Sequence, residues 1–215
     1  MDKKQCDYLG ALISLVTPKA EEETVKITDN CDDLNHLFHL DQHYIESFGC
    51  TEQTAGFIRL VAALNSRKIT DKFKFGKKYL QKDIEDYICG LFFGSTVETI
   101  YMLMFDKDNI FLACDSLGDG TVNASGFLPR KMLDVALRKN AYAVILAHNH
   151  PMGKTVPSTS DLVTTSLSKT VLSDAGIKFV AHYIVSGTEI ADFLPKTMEK
   201  YEEPKMIFKV SANPN

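Results

Sequence analysis

Ala141-Tyr-Ala-Val-Ile-Leu-Ala147 is an unbroken apolar run of strand length, and it ends in His148-Asn149-His150-Pro151. A run this short is either a buried strand or a piece of buried helix, and Pro151 favours the strand because proline cannot continue a helix. Side chains alternate between the faces of a strand, so His148 and His150 leave its end on one side while Asn149 points to the other. Two imidazoles are thereby aimed into one space.

Pro157 closes a short loop, and Ser158 or Ser160 stands where an N-cap is expected, ahead of Leu162, Val163, Leu167, Val171 and Leu172 at helical spacing. Asp161 then falls in the first helical turn, where amide groups and the partial positive charge of the helix end keep a carboxylate ionised. Two neutral imidazole nitrogens and one carboxylate oxygen form a three-ligand set for Zn²⁺, leaving the fourth tetrahedral position for water, as in a catalytic site. One zinc per chain is expected. Taken singly, Ser158-x-x-Asp161 is a capping box in its looser form, and a histidine at a strand end is a surface or satisfied core residue. The joint spacing of the five residues points to the metal.

Other classes recede on composition. The five cysteines, Cys6, Cys31, Cys50, Cys89 and Cys114, are odd in number and scattered without a Cys-x-x-Cys pair. Reduced thiols in a cytoplasmic protein are the expectation. Their absence from the motif also argues against a zinc deaminase, which takes cysteine ligands. No stretch approaches the apolar length of a membrane span. Lys3-Lys4 ahead of Leu9 to Val16 is not a signal peptide, because acidic Asp2 and Asp7 flank it, the run is short and no small-residue cleavage site follows.

In chain order, residues 7–16 read as a short amphipathic helix, 18–30 as an acidic connection, and Asp32 to Phe38 as a capped short helix. Asp41 to Phe48 and Thr51 to Asn65 form two helices joined across Gly49, the second with Phe57, Leu60, Val61 and Leu64 on one face. From Arg59 to Lys82, eight basic residues stand against the single acid Asp71, with Phe73, Phe75 and Tyr79 interleaved. Such a stripe is either a solvated link with docked aromatics, placed at 66–76, or a weak nucleic-acid contact, and the net charge of −4 favours the former. Tyr79 to Phe93 is a helix, Thr99 to Phe105 a strand, and Ile110 to Cys114 its hairpin partner across Asp106 to Asn109. Pro129 to Lys139 is a helix, the strand to His148 follows, and Ile177 to Val185 supplies another strand after the Asp161 helix ends at Gly176. The sum is an α/β fold with a mixed β-sheet flanked by helices, preceded by a small helical domain.

His148-x-His150-Pro151 through Ser158-x-x-Asp161 resembles the JAMM, or MPN-plus, zinc metalloprotease motif. Its form His-Asn-His-Pro-x-Gly-x-x-x-Pro-Ser-x-x-Asp is similar to that of the RadC family of bacterial proteins, as are Gly120-Thr121-Val122-Asn123, Pro129-Arg130 and Asn140-Ala141. The resemblance covers residues 77–195 strongly. It implies a JAMM/MPN-like, cytidine-deaminase-like architecture over 77–200, a helix-hairpin-helix-like domain over 1–76 and a tail over 201–215. It also implies that Glu98 is the general base and that Ser158 hydrogen-bonds the oxyanion. At His182, where such sequences tend to have Asp-His, this chain has Ala181-His182, and His182 is read as structural or as a support to the ligands. DNA-binding hairpins are glycine-rich in the turn, whereas only Gly49 stands here, so the turn is read as a packing element.

The expected function is hydrolysis of a peptide or isopeptide bond in a peptide or protein substrate, in the cytoplasm and without a membrane partner. The alternatives are a DNA-transaction accessory protein, with at most weak, non-specific DNA binding through the N-terminal half, and an MPN-like scaffold without turnover.

Overall fold

The computed structural model describes residues 1–119, 127–151, 153–187 and 189–194. The stretch Gly120 to Asn123 and the tail 201–215 lie outside the described residues. Contacts divide the chain into two compact units, Met1–Thr70 with Gly90–Thr96, and Asp71–Cys89 with the described residues from Val97 onward.

The first unit carries α1 (Lys3–Ile13), α2 (Ala20–Asn30), α3 (Leu34–His39), α4 (Gln42–Ser47) and α5 (Glu52–Thr70). Asp2 caps α1 by accepting from the Gln5 N–H at 2.8 Å, so this helix starts and ends earlier than 7–16. The acidic connection expected over 18–30 is instead mostly α2. Glu21, Glu22 and Glu23 occupy its first turn, where carboxylates suit the helix dipole. Leu9, Ile13, Ile27, Leu37, Ile45, Ala55 and Ile58 form the core of this unit. Between α4 and α5, Gly49 has φ +92°, a conformation that favours glycine, and its N–H is bonded to the Glu46 carbonyl at 2.8 Å. Because α5 runs on to Thr70, the first part of the stretch expected as a link is helix.

Helix α6 (Gln81–Phe92) begins in the second unit. There follow β1 (Thr99–Phe105), β2 (Phe111–Asp119), α7 (Phe127–Arg138), β3 (Ala143–Asn149), α8 (Thr159–Asp174), β4 (Lys178–Ser186) and β5 (Glu189–Asp192). The sheet order is β2-β1-β3-β4-β5. β1 runs antiparallel to both its neighbours, β3 and β4 are parallel, and β5 closes antiparallel on β4. This is the expected mixed sheet with helices, extended by a longer β2 and by β5, which no apolar run announces.

Central β3 is buried along its whole length. Val144 and Leu146 join Ile100, Met102 and Met104 of β1 in a core covered by Leu128, Met132, Val135 and Ala136 of α7 and Leu172 of α8. The sheet therefore holds β3 rigidly up to the histidines. Among the described residues, no helix is long and apolar enough to cross a membrane.

Candidate metal centre

The centre begins where β3 ends. His148 is still within the strand, paired with Ile100 of antiparallel β1, and His150 follows just beyond it. Period-two alternation puts both on one face, with their Nε2 atoms 3.0 Å apart. Because β1 is antiparallel, its beginning lies beside the end of β3. Glu98 immediately precedes β1 and joins the group from there. One potential ligand atom from each of Glu98, His148, His150 and Asp161 lies within 4.8 Å of all the others. Asp161 Oδ1 is 3.5 Å from His148 Nε2, and its Oδ2 is 3.7 Å from His150 Nε2. His148 and Asp161 are buried, while Glu98 and His150 are partly open.

Asp161 is held by a complete capping box. Ser158 caps α8 by accepting from the Asp161 N–H at 3.2 Å, and both its own N–H and its hydroxyl donate to Asp161 Oδ2, at 2.7 and 2.6 Å. Burial pushes the Asp161 carboxyl up, but the neighbouring His148 ring and the hydrogen bonds from Ser158 outweigh it, holding the group well below the usual carboxylate range. It stands as an anion facing two imidazoles.

The tautomer of His150 follows from its partner. Its Nδ1 lies 2.8 Å from the Lys154 carbonyl oxygen, which can only accept, so Nδ1 carries the proton and neutral His150 turns a lone pair at Nε2 toward the group. Gly153 lets the loop lie this close, because a Cβ there would meet His150 Cβ at 3.0 Å. Imidazole nitrogen and carboxylate oxygen gathered around one point suit a divalent zinc, so the residues present fit such an ion.

Two supports lie behind these residues, one of them unread in the sequence. Asn149, on the opposite face, accepts from the Thr99 N–H at 2.8 Å and donates to the Val97 carbonyl at 3.0 Å, bracketing Glu98 on both sides. Its side-chain amide thus continues the β1–β3 pairing by one step. The alternation of the strand sends Asn149 away from the histidines, but only the β1–β3 register shows what it meets there. The second support is His182 of β4. It is buried, with Nε2 2.9 Å from His148 Nδ1 and Nδ1 2.7 Å from the Thr165 hydroxyl, in keeping with its reading as a support to the ligands. Thr165, one turn after Asp161, carried no signal beyond its helical spacing.

None of the five cysteines belongs to this group, and all are free. Burial and then its neighbour Asp115 push the Cys114 thiol up, against hydrogen bonding with Tyr87, to about 12, and burial first pushes Cys89 up to about 11. Both are inert thiols at neutral pH.

Comparison with known proteins shows the family of the chain that carries this group. A family profile described as "RadC-like JAB domain" matches residues 78–198, which contain all four residues of the group. A "UPF0758 protein" of Janthinobacterium sp. (strain Marseille) is 30% identical over 178 residues, covering 75% of this chain and 76% of the relative. One from Chlorobium phaeovibrioides is 29% identical with the same shares covered, and one from Chlorobium luteolum is 35% identical over 52% of this chain and 50% of its own. The five-stranded mixed sheet flanked by helices is accordingly a JAB/MPN-like fold, and the chain belongs to the RadC family.

Proposed function

We propose that this chain is a zinc-dependent hydrolase of the peptidase or isopeptidase type, binding one zinc through His148, His150 and Asp161 and acting on a peptide or protein. The observation that supports this reading is the convergence of a fourth group, Glu98, on the two histidines and the aspartate. Three protein ligands leave the fourth position of a zinc for water, as in catalytic sites, and Glu98 stands beside that half-open side as the base. Zinc held there supplies Lewis acidity and makes water a nucleophile at neutral pH.

The residues of the chain do the rest. His148 and Asp161, both buried, fix the closed side of the centre, and the half-open side with Glu98 and His150 receives the scissile carbonyl. Glu98 takes the proton of the attacking water and later delivers it to the leaving amine. The Ser158 hydroxyl, which donates to Asp161 Oδ2 in the structure, would hydrogen-bond the oxyanion.

Protein purified without chelator, assayed for metal content and screened against peptide and isopeptide libraries, tests the reading. One zinc per chain and chelator-sensitive cleavage are expected. Absence of zinc after growth with the metal, or cleavage that survives its complete removal, would overturn it.

A further inference from the structure

The buried side chains behind the candidate ligands form one directed chain of hydrogen bonds. Its direction can be deduced atom by atom. Thr165 has a single hydroxyl proton, and its Oγ1 lies 2.6 Å from the backbone carbonyl oxygen of Asp161, which can only accept. The hydroxyl therefore donates to Asp161 and accepts from His182 Nδ1 at 2.7 Å, so the proton of His182 sits on Nδ1. His182 is 3% exposed, and among the described residues its ring nitrogens meet Thr165 and His148. In the neutral imidazole Nε2 is then a lone pair, and the contact at 2.9 Å with His148 Nδ1 has His148 as the donor.

We infer that His182 and Thr165 are positioning residues that fix His148 as its Nδ1–H tautomer and so commit its Nε2 lone pair to a metal. The chain starts on the backbone of one ligand residue, Asp161, and ends on the ring of another, His148. It therefore also ties the first turn of α8 to the end of β3. His150 reaches the same tautomer separately, through the Lys154 carbonyl. The two Nε2 atoms, 3.0 Å apart, then face each other as lone pairs, an arrangement that a cation relieves. A neutral histidine free of such partners exchanges between its two tautomers, and one of them blocks Nε2 with a proton.

This inference rests on the metal reading proposed above, and its test separates the two. The chain, freed of metal, labelled with ¹⁵N at histidine and held at about pH 8, where unperturbed imidazoles are neutral, reports each tautomer by long-range ¹H–¹⁵N NMR. Zinc affinity is measured in parallel by competition with a chromophoric chelator. In the unaltered chain, His148 and His182 are expected to carry their protons on Nδ1. Thr165→Val removes the acceptor for His182 Nδ1–H and is expected to weaken zinc about 10–100-fold, the usual cost of losing such a partner, whereas Thr165→Ser restores it. His182→Gln keeps an acceptor within reach of His148 Nδ1 and is expected to bind zinc more tightly than His182→Leu.

A His148 protonated on Nε2 in the metal-free chain overturns the inference. So does a folded Thr165→Val protein with unaltered zinc affinity and unaltered tautomers. If the unaltered chain takes up no zinc, the metal reading fails on its own, while the spectrum still decides the hydrogen-bond direction.

Discussion

Glu98 and Asp161 both present carboxylates to one point, yet their surroundings separate their roles. Asp161 is buried, locked by three hydrogen bonds with Ser158 and kept ionised, whereas Glu98 approaches from the open side. Glu98→Gln keeps the side-chain volume but cannot take a proton. Turnover is expected to fall about 10²–10⁴-fold, the usual worth of acid–base assistance, with zinc content and unfolding temperature unchanged. Unaltered kcat in that variant would place the base elsewhere. Asp161→Asn is expected to lower zinc content as well as activity, because a neutral amide is a poorer ligand and the capping box loses its charged acceptor. At this scale the sequence was most informative, since Glu98, His148, His150 and Asp161, all singled out there, are brought together, with Ser158 bonded to Asp161. Thr165 and the far side of His148 were hidden because hydrogen bonds between α8 and β4 depend on packing, which spacing along a chain does not encode.

Among the elements, the alignment of β1 with β3 delivers Glu98, and Asn149 secures the final step of that alignment. Asn149→Ala leaves the buried Thr99 N–H without its acceptor, at a cost of roughly 1–3 kcal/mol. For a chain of this size that corresponds to a fall in unfolding temperature of about 2–10 °C. A fall in kcat with zinc retained should accompany it, and a variant with normal kcat would show that Glu98 needs no such bracket. The strands β1, β3 and β4 were legible because their apolar runs are long and bounded by turn residues. Helix α2 was not, because its buried face consists of Glu23 and Ile27, a pattern without apolar periodicity. Strand β5 is short and half-buried, and follows a turn at Gly187 with φ +58°, so that pairing with β4 rather than its own composition makes it a strand.

For the whole molecule, charge and titration give two expectations. Several members of the basic stripe of residues 59–82 have structural duties. Arg59 donates to the carbonyls of Phe38, Leu40 and Gly94, and Lys82 pairs with Asp86. Phe73 stacks between Tyr79 and Tyr87 at 3.6 and 4.1 Å, while Phe75 is exposed. DNA binding, if measured against salt, is expected to be weak, non-specific and steeply salt-dependent. Tight binding at physiological salt that survives charge reversal at Lys72, Lys74, Lys77 and Lys78 would contradict this. Alkali is the second lever. Cys89 and Cys114 have folded values near 11 and 12, raised above the ordinary thiol value of about 8.5, and burial raises Tyr87 and Tyr183 as well. A raised value stabilises the fold fully below the unfolded value and loses that contribution as pH rises through the folded one. Stability should therefore decline between about pH 8.5 and 12, and Cys114→Ser, whose hydroxyl does not ionise there, should flatten that decline in a denaturation series. The boundary at Thr70 and Asp71 lies within the stretch read as a link, whereas the one at Cys89 and Gly90 falls inside helix α6 and had no local signal.

The three proposed ligands lie on one local segment, from the end of β3 to the first turn of α8, whereas Glu98 arrives only through the pairing of β1 with β3. Closing a short loop costs far less entropy than bringing together residues about fifty positions apart. A newly made or refolding chain can thus gather its metal ligands before its sheet is complete, but it lacks a proton acceptor until β1 is in place. For a protein proposed to cut peptides, that order would be a safeguard: a half-folded molecule, surrounded by other unfolded chains and itself the nearest substrate, would have its proposed ligands gathered and yet be unable to cut.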